Sequence, residues 1–408
     1  MTGLFRRYIL ADMGISVGIG IGTLKDPYQA VQAALKQAKA KLGPAQASLA
    51  IAFSTEKFFH LHLFKTISSF LPETPLLGYS GTAVYATEGI FSDGIAIMLL
   101  GLPENAYFNL GYVEEINAAS GGACGEELGA RLIYGFKNIR RDLGIIFSDG
   151  ILRKADEFLR GLQQRIGLSF PLIGACALDN PQAAKPSIYY GQRLLNNAAC
   201  GLVLGGKISF GLGSSHGWKP LGKPRQITRS LGNIVYEIDG EPASRVYEGY
   251  FSCCIDKLRQ DLQTISVFYP IGIHLTAEKE YLLRNLAAVQ DDGSLLFQGN
   301  VLQQSQIRLM IGTKESCLEA IRNAAETAKR GLGSRGAKFV LVFDSVSRYM
   351  LLGRLRQAAL QALRDAFGPQ AQIFGLCTYA EIAPLTALGN KGRAYFHNQT
   401  ATIAAIGE

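Results

Sequence analysis

Three charged side chains and a thiol fall within forty residues near the end of this 408-residue chain. Asp344 and Arg348 lie in Phe343-Asp-Ser-Val-Ser-Arg348, and Cys377 and Glu381 in Gly375-Leu-Cys-Thr-Tyr-Ala-Glu381. If the two segments end neighbouring strands, the four groups converge. Arg348 would then offer a planar fork to a carboxylate. A helix cap at Asp344 and a salt bridge to Arg348 fit the same spacing, so both readings stand. Tyr379 lies inside the second segment. His397 and Asn398 belong to Phe396-His-Asn-Gln-Thr400, a run of four hydrogen-bonding side chains before an apolar strand. It reads either as a polar site or as a turn satisfied by its own side chains.

The other imidazoles are His60, His62, His216 and His274. His60 and His62 fall in a segment read as helix, where i and i+2 point about 200° apart and cannot share a metal. His216 stands beside the single Trp in Ser214-Ser-His-Gly-Trp218. His274 follows Pro270-Ile-Gly-Ile273, at a strand or loop edge. Phosphate-loop, zinc-protease and nucleophile-elbow patterns are absent, and Gly18-Ile-Gly-Ile-Gly22 lacks the third dinucleotide glycine. Cys124 near a helix start reads as a packing residue, since no His partner is identifiable.

The elements that must position these groups recur three times. An apolar strand ends at Phe53, Phe147 or Phe343, a helix follows, and a second strand ends at Gly78, Gly174 or Gly375. Polar groups follow each Phe and Gly, at the carboxyl edge where parallel sheets bind ligands. Ser80, Thr82 and Asp179 sit in those loops. Asp26-Pro27 opens a helix that Gly43-Pro44 ends. Residues 79–93 read as a loop, and 197–204 with 207–211 as an antiparallel pair. Helices are expected at 121–136, 152–166, 314–332 and 350–366. The Gly/Pro/Lys-rich stretch Gly213 to Pro224 marks the main boundary. Short strands follow it, with turns at Asp239-Gly240 and Asp291 to Gly293. The class is α/β: two domains, 1–220 and 221–408, of mixed sheets covered by helices.

Composition sets bounds. The chain is 48% hydrophobic and 18% charged, which excludes disorder. The net charge of +8 is scattered without a run of five like charges, so a solvated surface is expected rather than a nucleic-acid face. Seven cysteines without a Cys-x-x-Cys pair suit a reduced, cytoplasmic setting. No signal peptide or membrane span is read.

Several stretches together resemble the FIST sensory proteins, an N-terminal FIST domain followed by a C-terminal one. They are Val235-Tyr-Glu-Ile-Asp-Gly-Glu-Pro-Ala243, Tyr281-Leu-Leu-Arg284, and the three runs at 343–348, 374–381 and 396–400. The N-terminal half matches through Gly78-Tyr-Ser-Gly-Thr-Ala-Val-Tyr-Ala-Thr-Glu88 and Gly174-Ala-Cys-Ala-Leu-Asp179. Ser345 stands where members often carry Cys, and Ala380 where they carry Gly before the Glu. The resemblance implies an intracellular, non-enzymatic sensor for an amino acid or similar metabolite. No output domain follows before Glu408, so a separate partner such as a histidine kinase is expected. A subset of the family resembles haem-binding nitric oxide sensors, for which His216, His274 and His397 are the candidate ligands. An enzyme using Cys377 or Glu381 is a further alternative.

Overall fold

The computed structural model describes residues 14–58, 61–116, 120–149, 155–176, 188–276, 278–387 and 389–407. Asp179 and His60 lie outside them. Three stretches of chain follow one order of elements: strand, helix, strand, helix, strand, hairpin, strand. The first comprises β1 (Ser16–Gly22), α1 (Pro27–Leu42), β2 (Leu49–Thr55), α2 (Leu61–Phe70), β3 (Leu76–Gly81), the hairpin β4 (Ala83–Ala86) and β5 (Gly89–Phe91), and β6 (Ile95–Gly101). The second comprises β7 (Tyr107–Val113), α3 (Gly121–Ile133), β8 (Arg141–Ser148), α4 (Ala155–Ile166), β9 (Leu172–Cys176), the hairpin β10 (Ile188–Tyr190) and β11 (Arg193–Leu195), and β12 (Ala199–Gly205).

The third begins with β13 (Ser209–Ser215) and is then interrupted. The insert holds β14 (Lys219–Leu231), β15 (Ile234–Ile238), β16 (Glu241–Pro242), α5 (Ser244–Phe251), α6 (Ile255–Gln260), α7 (Leu262–Phe268), β17 (Ile271–Ile273), β18 (Leu282–Arg284), β19 (Leu286–Val289), β20 (Leu295–Phe297) and β21 (Gln306–Ile311). The order then resumes with α8 (Lys314–Leu332), β22 (Ala337–Ser345), α9 (Val346–Leu352), α10 (Arg356–Phe367), β23 (Gln372–Thr378), the hairpin β24 (Ala380–Pro384) and β25 (Ala394–His397), and β26 (Ala401–Gly407).

Each stretch pairs its two central strands in parallel and flanks them with antiparallel ones. Each hairpin completes another stretch's sheet. The orders are β1-β6-β2-β3-β10-β11, β7-β12-β8-β9-β24-β25, and β13-β26-β22-β23-β4-β5. The hairpins thus pass cyclically between the three sheets. Two of the sheets combine strands from both sides of residue 220. The insert forms a fourth sheet, β18-β17-β21-β14-β15-β20-β19, with β16 on β15.

The inner faces of the three sheets share one core, with Leu49, Ile51 and Phe53 meeting Leu143, Ile145 and Phe147 and Phe339, Leu341 and Phe343. The three strand-ending phenylalanines close on one another at its axis. Phe53, Phe147 and Phe343 have ring centroids 5.7, 5.8 and 5.9 Å apart, all edge-on. The outer faces carry helices, so both faces are buried and the strands read as near-continuous apolar runs. The glycines of β1 serve that outer packing. A Cβ on Gly18, Gly20 or Gly22 would lie 1.9, 1.9 or 2.0 Å from a carbonyl of α1, so strand and helix backbones meet directly.

The caps of α1 form as expected, with Asp26 accepting from Gln29 N and Gly43 closing the end. Three local expectations are corrected, and the boundary stretch takes a form the sequence reading left open. Residues 79–93 are not a loop: their hairpin pairs with β23, nearly three hundred residues on. Residues 199–205 and 209–215 are not a pair: Gly206 and Lys207, both at positive φ, send the chain from one sheet to another. The stretch 213–224 is mostly strand, and Pro220 and Pro224 are tolerated beside a register shift between Leu221 and Arg225. The helix expected over 350–366 is two, broken at Gly353 with φ +53.

Candidate functional site

The carboxyl ends of β22 and β23 are neighbours, with Asp344 opposite Cys377 and Ser345 opposite Thr378. Asp344, Arg348, Cys377 and Glu381 therefore do converge, but they are sealed from solvent. Asp344 Oδ1 accepts from Arg348 Nε at 2.5 Å, and Oδ2 accepts from Tyr85 of the exchanged hairpin at 2.9 Å. The remaining arms of Arg348 donate to His216 O at 2.8 Å and Cys317 O at 3.0 Å. The guanidinium thus ties two backbone carbonyls to one buried carboxylate. Of the two sequence readings, this geometry is the salt bridge, and it leaves no open fork for a ligand.

Glu381 accepts from Thr378 Oγ1 at 2.9 Å and Thr400 N at 3.2 Å, and burial holds its carboxyl well above the usual range. Burial also pushes the Cys377 thiol well up, and the carboxylates of Asp344 and Glu381 add to it. A nucleophile needs the thiolate within reach of a substrate, and neither condition is met here. Ser80 is buried beside this region. Thr82 is partly buried. Tyr379 donates to Glu56 Oε1 at 3.0 Å, and burial raises the Glu56 carboxyl.

The polar run 396–400 turns out to be a bracket holding the inserted sheet. Arg284 Nη1 donates to Phe396 O at 2.7 Å, and Asn285 N donates to Asn398 Oδ1 at 3.2 Å. Gln399 Nε2 reaches Ser266 O at 2.7 Å and Asn285 Oδ1 at 2.5 Å. Its φ of +56 makes the sharp turn that aims these side chains. His397 Nε2 donates to Ala383 O at 2.9 Å, and burial pushes its pKa down to about 4.

A more open cleft lies elsewhere. A cleft of about 910 Å³ runs between α4, the inserted sheet with the loop 300–306, and β25. Arg284, 2% exposed, reaches Asp156 of α4 at 3.2 Å. Asn300 donates through N to Asp156 Oδ2 at 2.7 Å and through Nδ2 to Glu157 Oε1 at 3.1 Å. The second carboxylate oxygen, Glu157 Oε2, is shielded from solvent and has no partner. Arg160 and Arg393 line the same cleft, and both are exposed. Among the described residues neither has a carboxylate partner; Arg393 lies 5.5 Å from the Tyr395 ring centroid. Gln303, Gln304, Gln306 and the exposed His274 complete the polar lining. Sequence reasoning found only His274 of this set. The polar run Gln303-Gln-Ser-Gln306 was the available signal, but which charges stay unpaired is settled by tertiary contacts.

A smaller concavity of about 330 Å³ lies where the insert leaves β13, lined by His216, Trp218, Lys219, Glu280 and Tyr281. Trp218 N donates to His216 Nδ1 at 2.9 Å, which places the ring proton on Nε2. That atom lies 3.2 Å from Glu280 Oε2 without hydrogen-bond alignment. Burial pushes the His216 pKa down to about 3.

The three imidazoles do not fit a haem. His216 and His397 are buried away from solvent; His216 Nδ1 accepts from Trp218 N and His397 Nε2 donates to Ala383 O, so neither ring lies open to a planar macrocycle. His274 is open, but the cleft it lines carries Asp156, Glu157, Arg160 and four glutamines. A porphyrin face would desolvate these groups without pairing them. Among the described residues no helix is long and apolar enough to cross a membrane.

Comparison with known proteins adds the following. The FIST N domain matches residues 48–241, and the FIST C domain matches residues 243–384. The uncharacterized protein MJ1623 of Methanocaldococcus jannaschii is 24% identical over 316 residues, covering 72% of this chain. The chain spans about 59% of the length of that curated relative. Among solved structures, a cyanuric acid hydrolase from A. caulinodans matches at a TM-score of 0.36 and 9% identity, covering 96% of this chain and 99% of that one. T. maritima PurL complexed with FGAR matches at a TM-score of 0.25 and 10% identity, covering 96% of this chain and 72% of that one.

Proposed function

The chain belongs to the FIST family, a FIST N domain followed by a FIST C domain, and from that premise we propose that it senses a small zwitterionic metabolite, such as an amino acid, in the cleft between α4 and the inserted sheet. FIST domains are generally small-ligand-sensing signal-transduction domains. One observation carries the choice of site and ligand: two unpaired guanidinium groups and one partnerless carboxylate oxygen line a single cleft of about 910 Å³. A ligand carboxylate would pair with Arg160 or Arg393, and its ammonium would sit on the acidic wall formed by Asp156 and Glu157. The amide side chains of Gln303, Gln304 and Gln306 both donate and accept, which suits a polar ligand body.

The walls of the cleft come from different parts of the chain, α4 on one side and the insert on the other. A ligand that touches both walls binds one arrangement of them better than another, and that difference in affinity is the signal. The readout passes to a separate partner, such as a histidine kinase.

The test is calorimetric titration of the full chain with amino and organic acids, selected first by thermal shift. A bound amino acid should lose about tenfold in affinity in Arg160→Ala or Glu157→Gln, with melting of the free protein unchanged. Binding that survives Arg160→Ala, Arg393→Ala and Glu157→Gln alike would place the ligand elsewhere.

A further inference from the structure

The chain has seven free cysteines. Cys124, Cys176, Cys200, Cys317 and Cys377 are buried, and burial pushes the Cys176 and Cys317 thiols up to about 12 and about 11. Cys253 and Cys254 differ from these in exposure and in standing side by side. They are adjacent, half-buried and exposed respectively, and lie in the turn between α5 and α6. Ser252 just before them is in the left-handed region, φ +49 and ψ 44, and so reverses the chain at the end of α5. Cys254 occupies the cap position of α6, but its side chain makes no capping hydrogen bond. Both residues line an open concavity of about 510 Å³ with Arg245, Glu248, Gly249 and Ser252.

We propose that Cys253 and Cys254 form a vicinal dithiol that exchanges reversibly with small-molecule disulfides. The exposed Cys254 thiolate attacks one sulfur of a disulfide RSSR and expels RS⁻, leaving a mixed disulfide on Cys254. The half-buried Cys253 thiolate then attacks the Cys254 sulfur and expels the second RS⁻. The net reaction oxidises the protein dithiol by two electrons and yields two RSH. The concavity gives the incoming disulfide room beside both sulfurs. The two turns of short helix on either side, α5 and α6, are the segments that absorb the ring closure. The other five thiols are shielded, which confines the reaction to this corner.

The full chain is incubated with oxidised glutathione, and its mass and free-thiol content are followed. The expected product has lost about 2 Da and two thiols, and dithiothreitol restores both. Cys253→Ser should instead accumulate the glutathione adduct on Cys254, and Cys254→Ser should react at least tenfold more slowly. Phenylarsine oxide should bind the wild type with one equivalent per chain and neither single variant. Undiminished reaction in Cys254→Ser would overturn the proposal. So would a stable wild-type adduct that never closes.

Discussion

Replacing Arg348 by Met separates a clamp from a ligand-binding group. The guanidinium and the Asp344 carboxylate are both fully buried. Without the Arg, Asp344 keeps only the Tyr85 hydroxyl as a partner. Breaking a buried pair by removing one member costs about 3–5 kcal/mol, because an uncompensated charge is left behind. His216 O and Cys317 O lose their donors as well, at about 1–3 kcal/mol for each buried group left unsatisfied. These costs overlap, so a total of about 4 kcal/mol is expected for Arg348→Met. In Asp344→Asn with Arg348→Met the stranded charge is gone, and the loss should shrink by about 2 kcal/mol. Urea unfolding of the wild type, both single variants and the double variant reads out all four corners. If Arg348→Met kept the wild-type unfolding midpoint and lost affinity for an acidic ligand, the guanidinium would be a ligand group and the clamp reasoning would be wrong.

Two further predictions concern stability. Gly20→Ala should cost about 3 kcal/mol, since its Cβ would lie 1.9 Å from Ala34 O and neither backbone can yield. Gly249→Ala, in α5 with open space around it, should be neutral or slightly stabilising, and equal melting of the two variants would refute the packing account. Acid should destabilise the protein through its buried imidazoles. Burial holds His216 near 3 and His397 near 4, below the ordinary 6.5, so the unfolded chain binds protons that the folded one refuses. That stability is complete above about pH 6.5 and is lost as pH falls toward 4, at about 1.4 kcal/mol per pH unit for each group. His397→Gln should therefore flatten the dependence of the urea midpoint between pH 6.5 and 4.5, and an unchanged slope would contradict the assignment.

The sequence by itself determined the local units. Apolar runs long enough to be buried on both faces marked β2, β8 and β22, and Asp26-Pro27 with Gly43 set the ends of α1, because capping and steric limits act within a few residues. It also made the convergence of Asp344, Arg348, Cys377 and Glu381 conditional on two strands being neighbours, and β22 and β23 are. Only the tertiary structure decided what those groups do. The partners of Arg348 lie 31 and 132 residues away in sequence, and Tyr85 lies 259 from Asp344. Nothing local distinguishes a fork held by such partners from one awaiting a ligand. The exchange of hairpins was hidden for the same reason: Ala83–Ala86 carries no sign of the strand it joins at residue 374. The open cleft was the least legible feature. Glu157, Arg160 and Arg393 are ordinary surface charges in sequence, and only the packing of the insert against α4 brings them to the lining of one cleft. Burial and pairing are properties of the assembled chain, and they turn the same residue types into a structural clamp in one place and a candidate binding cleft in another.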